Sequence, residues 1–413
     1  MKNKSVILFV VLVLYIYPVT LVSAGWTPMP SGTEGSLRGV WGSSGNDVFA
    51  VGASDILHYN GSAWSSMPNE TEGMTSLGVW GSSGTDVFAV GYDENSNGAI
   101  LHYNGIAWSP MSIGTVAGGL SGVWGSSGSN VFAVGYNGTI LHYNGSTWSS
   151  MPSGTTASLT GVWGTSGTDV FAVGADPTTY DGIILHYDGN AWSAMTSEAA
   201  KILTNVWGNS GSDVFVVGAS ILGIGCIFHY DGVSWAPMNI EMMSALYGVW
   251  GSSGTDVFAV GDGGTILHYN GIDWSPMTSG TTEVLYGAWG SSGSNVFAVG
   301  DAGTILHYGE AASTTTTVPS QTTTTTIGGL TTTTTIGEQC PTEELYGEHS
   351  EETEFLRYVR DNVLSNTFEG QELIRLYYEW SPVIVEMIEE DAAFKAQMRE
   401  MIDGVVTLIG EVK

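Results

Sequence analysis

The sequence predicts an all-β seven-bladed propeller of four-stranded blades, its last blade closed by the N-terminal strand. A Thr-rich linker and a small all-α C-terminal domain follow. A long internal repeat, two complementary half-units at its ends and a switch of composition after it carry this reading. The Trp of a V-W-G element recurs at Trp41, Trp80, Trp124, Trp163, Trp207, Trp250 and Trp289, at intervals of 39, 44, 39, 44, 43 and 39 residues. That period matches a propeller blade. A second series, Trp26, Trp64, Trp108, Trp148, Trp192, Trp235 and Trp274, has the same length but a different phase. Trp26-Thr27-Pro28-Met29 precedes the first V-W-G, and the last unit stops at His307-Tyr308-Gly309 with no such segment after it. Joining the two half-units closes the ring and removes the free edges of an open array.

Residues 1–24 read as a signal peptide. Lys2 and Lys4 precede an apolar run from Val6 to Tyr15, and Val22-Ser23-Ala24 resembles a small-residue cleavage site. The mature chain is expected to start at Gly25, outside the cell or on its surface. It contains no further run of 18 or more apolar residues, so no transmembrane helix is expected.

Residues 25–309 are the propeller. In each unit the first strand centres on L-x-G-V-W-G and the second on D-V-F-A-V-G. The polar G-S-S-G-T turn between them is read as placing Gly at positive φ. I-L-H-Y forms the third strand. An Asn-Gly or Asp-Gly hairpin leads to the fourth, which carries W-S-P-M or a variant. The tail of each unit, such as His268-Tyr269-Asn270-Gly271-Ile272-Asp273-Trp274, resembles a degenerate Asp-box (BNR-type) turn, and the repeat as a whole resembles Trp-rich propellers of secreted bacterial proteins. That resemblance implies a fold and an exported setting, not a reaction.

Residues 310–339 hold the runs Thr314–Thr317, Thr322–Thr326 and Thr331–Thr335, which cannot bury a core and are expected to form an extended spacer. From residue 340 to 413 Glu becomes frequent, Gly falls, and apolar residues recur at helical spacing, as at Phe355, Leu356, Val359 and Val363. Cys340, Tyr346-Gly347, Ser350-Glu351, Leu356-Arg357, Arg360-Asp361, Gly370, Tyr377-Tyr378 and Ser381-Pro382 resemble the CFI-box C-terminal domain of exported proteins. The resemblance implies sorting, attachment or docking. Pro341-Thr342-Glu343-Glu344 stands where that family has its apolar box.

Composition narrows the chemistry. Lys plus Arg number 10 against 40 Asp plus Glu, for a formal net charge of -30. Nucleic acid is not an expected partner, because phosphate recognition needs clustered cations. The mature propeller holds only Arg38 and Lys201 as cations, which rules out a sialidase-type Arg triad. Seven His recur once per unit, at His58, His102, His142, His186, His229, His268 and His307, without metal-ligand spacing. They are read as structural, partnered by the acid or amide that opens the second strand: Asp47, Asp86, Asn130, Asp169, Asp213, Asp256 or Asn295. The repeated Trp are read as packing between blades, with a sugar-stacking ring as the alternative. No cofactor is expected; the loop Asp93, Glu94, Asn95, Asn97 is a weak Ca²⁺ candidate.

Comparing the units with one another places a binding surface. The first-to-second and third-to-fourth turns lie on one face of a propeller and are nearly identical in every unit. The second-to-third turns and blade connections lie on the other face and vary. Its candidate residues are Tyr92, Asp93, Glu94, Asp176, Tyr180, Asp181, Ile221, Glu241 and Met242. The chain is expected to be a non-catalytic binding module for an extracellular protein or glycan. A carbohydrate-binding lectin, a polysaccharide-active glycosidase or lyase, and a structural surface protein are the alternatives.

Overall fold

The computed structural model describes residues 25–53, 55–68, 73–196, 201–240 and 244–309, with the backbone of Thr324–Ile327 and Leu330–Thr333. Residues 1–24, read above as a signal peptide, Glu241, Met242 and the C-terminal residues Cys340, Tyr346, Gly347, Arg360, Tyr377, Tyr378 and Pro382 lie outside the described residues.

Seven antiparallel four-stranded sheets form the propeller. Blades 1 to 6 span Leu37–Ser66, Thr75–Pro110, Leu120–Ser150, Ser158–Ala194, Ile202–Met238 and Leu246–Met277; blade 7 combines Leu285–Gly309 with Gly25–Pro28. The half-units do meet: Gly25 pairs with Gly309 and Pro28 with Leu306, in register across the closure. The first strands of neighbouring blades touch all round the ring, blade 7 against blade 1 included, and so form its inner wall.

The core lies between blades rather than within them. Phe49, Val51 and Ile56 of blade 1 pack on Val87, Ala89, Leu101 and Trp108 of blade 2, and six equivalent clusters complete the circle. Each fourth-strand Trp meets the second-strand Phe of the preceding blade edge-on, as in Trp108–Phe49 (6.2 Å, 81°) and, at the closure, Trp26–Phe258 (6.2 Å, 83°). Edge-to-face contact is the preferred geometry of aromatic quadrupoles. The V-W-G Trp reaches forward instead. A Cβ on Gly81 would lie 2.7 Å from the Trp41 ring, and one on Gly42 would lie 2.7 Å from Trp289. The W-G pair is therefore two half-contacts: each blade presents a Trp to the next and a Gly to the one before.

Two expectations are corrected. The second Gly of the G-S-S-G-T turn does not adopt positive φ: Gly45, Gly84, Gly128, Gly167, Gly211, Gly254 and Gly293 are all absent from the left-handed region. Its small size answers to close approach. A methyl on Gly84 would overlap the Asp47 carboxylate of the preceding blade, and the same holds for Gly128 on Asp86 and Gly293 on Asp256. Positive φ occurs in the other turn of that face, at Gly61 (φ 88°), Gly105 (φ 87°) and Gly271 (φ 88°). There the loop is four residues long, closed by Asn60 Oδ1 accepting from the Ser62 and Ala63 amides at 3.0 and 3.1 Å.

The insertions in blades 2, 4 and 5 are only partly loop. Tyr92 pairs with Gly98, Ala175 with Gly182 and Ala219 with Gly225, so each insertion first lengthens its hairpin and then turns. In the second unit, Thr315–Lys413, Thr324–Ile327 pairs antiparallel with Leu330–Thr333. This part of the expected extended spacer is a hairpin, in keeping with the β preference of Thr. No helix among the described residues is long and apolar enough to cross a membrane.

Candidate binding face

The two faces of the disk are built differently. On the constant face every His Nε2 donates to the residue opening its second strand: Asp47 (2.6 Å), Asp86 (2.7 Å), Asn130 (2.7 Å), Asp169 (2.7 Å), Asp213 (2.7 Å), Asp256 (2.6 Å) and Asn295 (2.9 Å). The second carboxylate oxygen accepts from the turn's own Ser, Thr or Asn, as from Ser82 (2.5 Å), Thr165 (2.5 Å) and Asn209 (3.2 Å). Each acid is thus spent on its own blade and covered by the next blade's Gly. Asp256 is partly buried, which alone would raise its pKa, but hydrogen bonds from His268 and Ser252 hold it below the usual value. In the two Asn-containing blades burial lowers the pKa of His142 and His307, with no carboxylate to oppose it. None of the fourteen propeller Trp is exposed.

The variable face is assembled from the second-to-third turns and the blade connections; Gly138 of one such turn lies against Ser153 and Thr155 of the neighbouring connection. Asp93 and Asp176 each turn one carboxylate oxygen into their own loop. Asp93 Oδ1 accepts from the Asn95 and Asn97 amides (2.9 and 2.8 Å), and Asp176 Oδ1 from Thr178 and Thr179 (2.7 and 3.0 Å). Those amides, chiefly Asn97 and Thr178, lower the pKa of the two carboxylates. In blade 5 the Ser220 hydroxyl closes the corresponding turn. Asp93 and Asp176 therefore shape their loops. Among the described residues no group of three or more His, Cys, Asp or Glu side chains could hold one metal ion. Glu94 and Asp181 are exposed, and Tyr92 is half-buried beside Gly119 and Tyr136.

What the closed loops display is apolar and aromatic. Tyr136 is 46% exposed, Tyr180 50%, Ile221 73% and Leu222 79%, on the second-to-third turns of blades 3, 4 and 5. Tyr180 holds φ at 62°, a strained conformation for a bulky residue. At Cys226, two residues beyond the Ser220–Ile224 turn of blade 5, burial pushes the thiol up to about 11, away from the thiolate form.

A second group, absent from the sequence-derived candidates, sits on the inner wall. In every blade the pairing of first and second strands slips at L-x-G or its equivalent, making x a bulge residue. Bulges re-aim side chains. The seven are Arg38, Leu77, Ser121, Thr160, Thr204, Tyr247 and Tyr286, in a strand otherwise close to identical in every blade. Thr160 and Thr204 serve the scaffold, each hydroxyl donating to backbone carbonyls of its own and the next blade. Blades 6, 7 and 1 carry Tyr247, Tyr286 and Arg38 instead. Their rings and guanidinium meet in sequence, Tyr247 tilted against Tyr286 (5.5 Å, 45°) and Arg38 Cζ 3.7 Å above the Tyr286 ring centre. Tyr286 donates to Asp301 Oδ2 (2.9 Å) and Ser36 to Asp301 Oδ1 (2.6 Å). Burial, with Asp262 next to it, pushes the Tyr247 hydroxyl up to about 12. The signal was present in the sequence as the most varied position of an otherwise largely repeated strand.

No protein-family model matches the chain, and no curated protein matches it. Solved structures share its fold. YCF48 bound to D1 peptide is 13% identical with a TM-score of 0.57, covering 71% of this chain and 100% of that one. The WD40 propeller domain of Doa1 is 11% identical at TM-score 0.59, covering 70% and 98%. Virginiamycin B lyase from Staphylococcus aureus is 11% identical at 0.55, covering 68% and 98%. At these identities the likeness is one of fold.

Proposed function

We propose that the chain is an exported, non-catalytic binding module that holds a peptide segment of a partner protein on the variable face of its propeller. The contrast between the faces carries this reading. Hydrogen bonds close the turns on both, and both expose apolar side chains, Ile106, Val233 and Ile272 on the constant face among them, but only the variable face individualises its loops, with Tyr136, Tyr180, Ile221 and Leu222 standing on turns of different length and sequence. Exposed side chains on loops carried by a rigid frame are a binding arrangement. One neighbour of the same fold is a peptide complex by its own description. Catalysis has less to work with: Asp93 and Asp176 are engaged in turns, and an open depression of about 680 Å³ beside Asn137, Met151 and Thr155 is lined by no titratable side chain. A sugar-stacking Trp ring has no exposed Trp to build it. The CFI-box-like C-terminal region would sort or attach the module outside the cell, and the Asp-box likeness would be one of turn shape.

The test is loop replacement. The second-to-third turns of blades 2, 4 and 5 are exchanged for the short Asp262-Gly263-Gly264-Thr265 form, and binding to an array of random octapeptides is read. The reading requires the wild-type chain to retain a subset of sequences and the exchanged chain, melting at the same temperature, to lose them at least tenfold. Retention that survives the exchange but is lost on mutating the constant-face turns would move the site to the other face.

A further inference from the structure

The inner-wall group on blades 6, 7 and 1 has the makings of an anion reader. Arg38 and Lys201 are the only cations of the mature propeller, and Arg38 sits at a bulge on the inner wall. Among the described residues no carboxylate lies within ion-pair distance of it; the ion pairs found there all join His to Asp. Asp301, bonded to the Tyr286 hydroxyl, directs its oxygens to Ser36 and Tyr286 and makes no direct ion pair with the guanidinium. Those bonds fix the Tyr286 ring, and the ring holds the guanidinium by its face. A guanidinium stacked by its face keeps its in-plane N–H edge for a forked acceptor. The shelf is therefore organised before any ligand arrives.

The surroundings narrow the ligand. Asp262 and Asp301 near this single cation, in a chain of net charge -30, repel a polyanion, so the anion that fits is a single carboxylate seated directly on the guanidinium fork. Across the ring, blades 3 to 5 offer the exposed Tyr136, Tyr180, Ile221 and Leu222. We infer that the blade 6–7–1 sector reads the C-terminal carboxylate of an apolar peptide segment of a partner protein, with Arg38 as the reader and blades 3 to 5 receiving the apolar side chains. A chain end, unlike a loop, brings its carboxylate to a closed inner wall without having to turn back. This rests on the peptide-binding reading above.

The full chain is tested against immobilised apolar octapeptides (Leu, Val, Ala and Phe at random) in three sets: free C-terminal carboxylate, C-terminal amide, and amide with one internal Glu. Free-carboxylate peptides should be retained at least tenfold better than amides. Arg38→Gln should abolish that preference while leaving amide retention and melting temperature unchanged. Arg38→Lys, which keeps the charge and loses the fork, should keep only part of it. In a second readout, N-acetyl-leucine should shift the Arg38 Nε–H NMR signal, and its methylamide and inorganic phosphate should not. Equal retention of acids and amides, a preference that survives Arg38→Gln, or a stronger response to phosphate overturns the inference. So does equal retention of the internal-Glu set, which would make the site a general carboxylate site. Amide binding that is lost on loop exchange would leave the broader reading standing while this one falls.

Discussion

The two faces of this propeller answer the same problem, turning a strand seven times, in opposite ways. On the constant face one solution is copied: a His–Asp or His–Asn hydrogen bond, and in most blades a Ser, Thr or Asn on the same acid, covered by the next blade's Gly. Because each turn leans on its neighbour, a change in one is felt by two blades. On the variable face each turn is closed by its own side chain, Asp93, Asp176 or Ser220, or by a short turn such as Asp262–Gly264. Those turns can diverge singly. The difference teaches that on the constant face repetition marks turns that lean on the neighbouring blade, while on the variable face a turn closed by its own side chain can differ from the rest.

The largest expected effect comes from breaking the ring that both faces share. Deleting residues 25–30 removes the fourth strand of blade 7 and Trp26, which is 8% exposed. Loss of a buried Trp alone costs about 3–5 kcal/mol, so the melting temperature should fall by roughly 10 °C or more. A melt matching the full chain would show that the ring closes some other way.

A matched pair of glycine substitutions sharpens the contrast directly. Gly84→Ala places a methyl onto Asp47 of the adjoining blade and should destabilise by about 1–3 kcal/mol through overpacking. Gly263→Ala, on the variable face, has open space around it at φ 62°. Blade 7 already carries Ala302 at the equivalent place with φ 53°. Its cost should stay at about 1 kcal/mol or less. Equal costs from chemical denaturation would erase the distinction between the faces.

The smallest effect concerns acid. His142 and His307 have folded pKa values below the ordinary one, so the unfolded chain binds more protons as pH falls through about 6.5, and stability declines there. Asn130→Asp would supply His142 with a carboxylate that favours the charged ring, and should flatten that decline in a plot of melting temperature against pH. Asp256 acts in a lower window. Its depressed folded pKa contributes stability above about pH 3.9, lost as pH drops further. An unchanged profile in the Asn130→Asp chain would mean that His142 does not couple folding to pH.

Much of the frame was legible because repetition is a local signal. The period of the two Trp series, the half-units at Trp26 and Gly309 and the Asn-Gly turns specify seven blades and their closure without reference to any distance. The pairing of His58 with Asp47 could be read in the same way, as one polar residue recurring with another. What the sequence could not disclose is the reason for a repeated residue. Gly84 looks like a turn glycine, yet it is small because Asp47, on another blade, lies against it. Nor could it show that Asp93 and Asp176 direct their oxygens into their own loops, since an Asx turn and a ligand-binding acid use the same letters. The inner-wall group of blades 6, 7 and 1 is the strongest case. Arg38, Tyr247 and Tyr286 are far apart in the chain, and only ring closure makes blade 7 the neighbour of blade 1. The bulge at L-x-G then brings the three together. Local periodicity determined the architecture; the meeting of non-local side chains, which depends on closure and register, was decided by the tertiary structure alone.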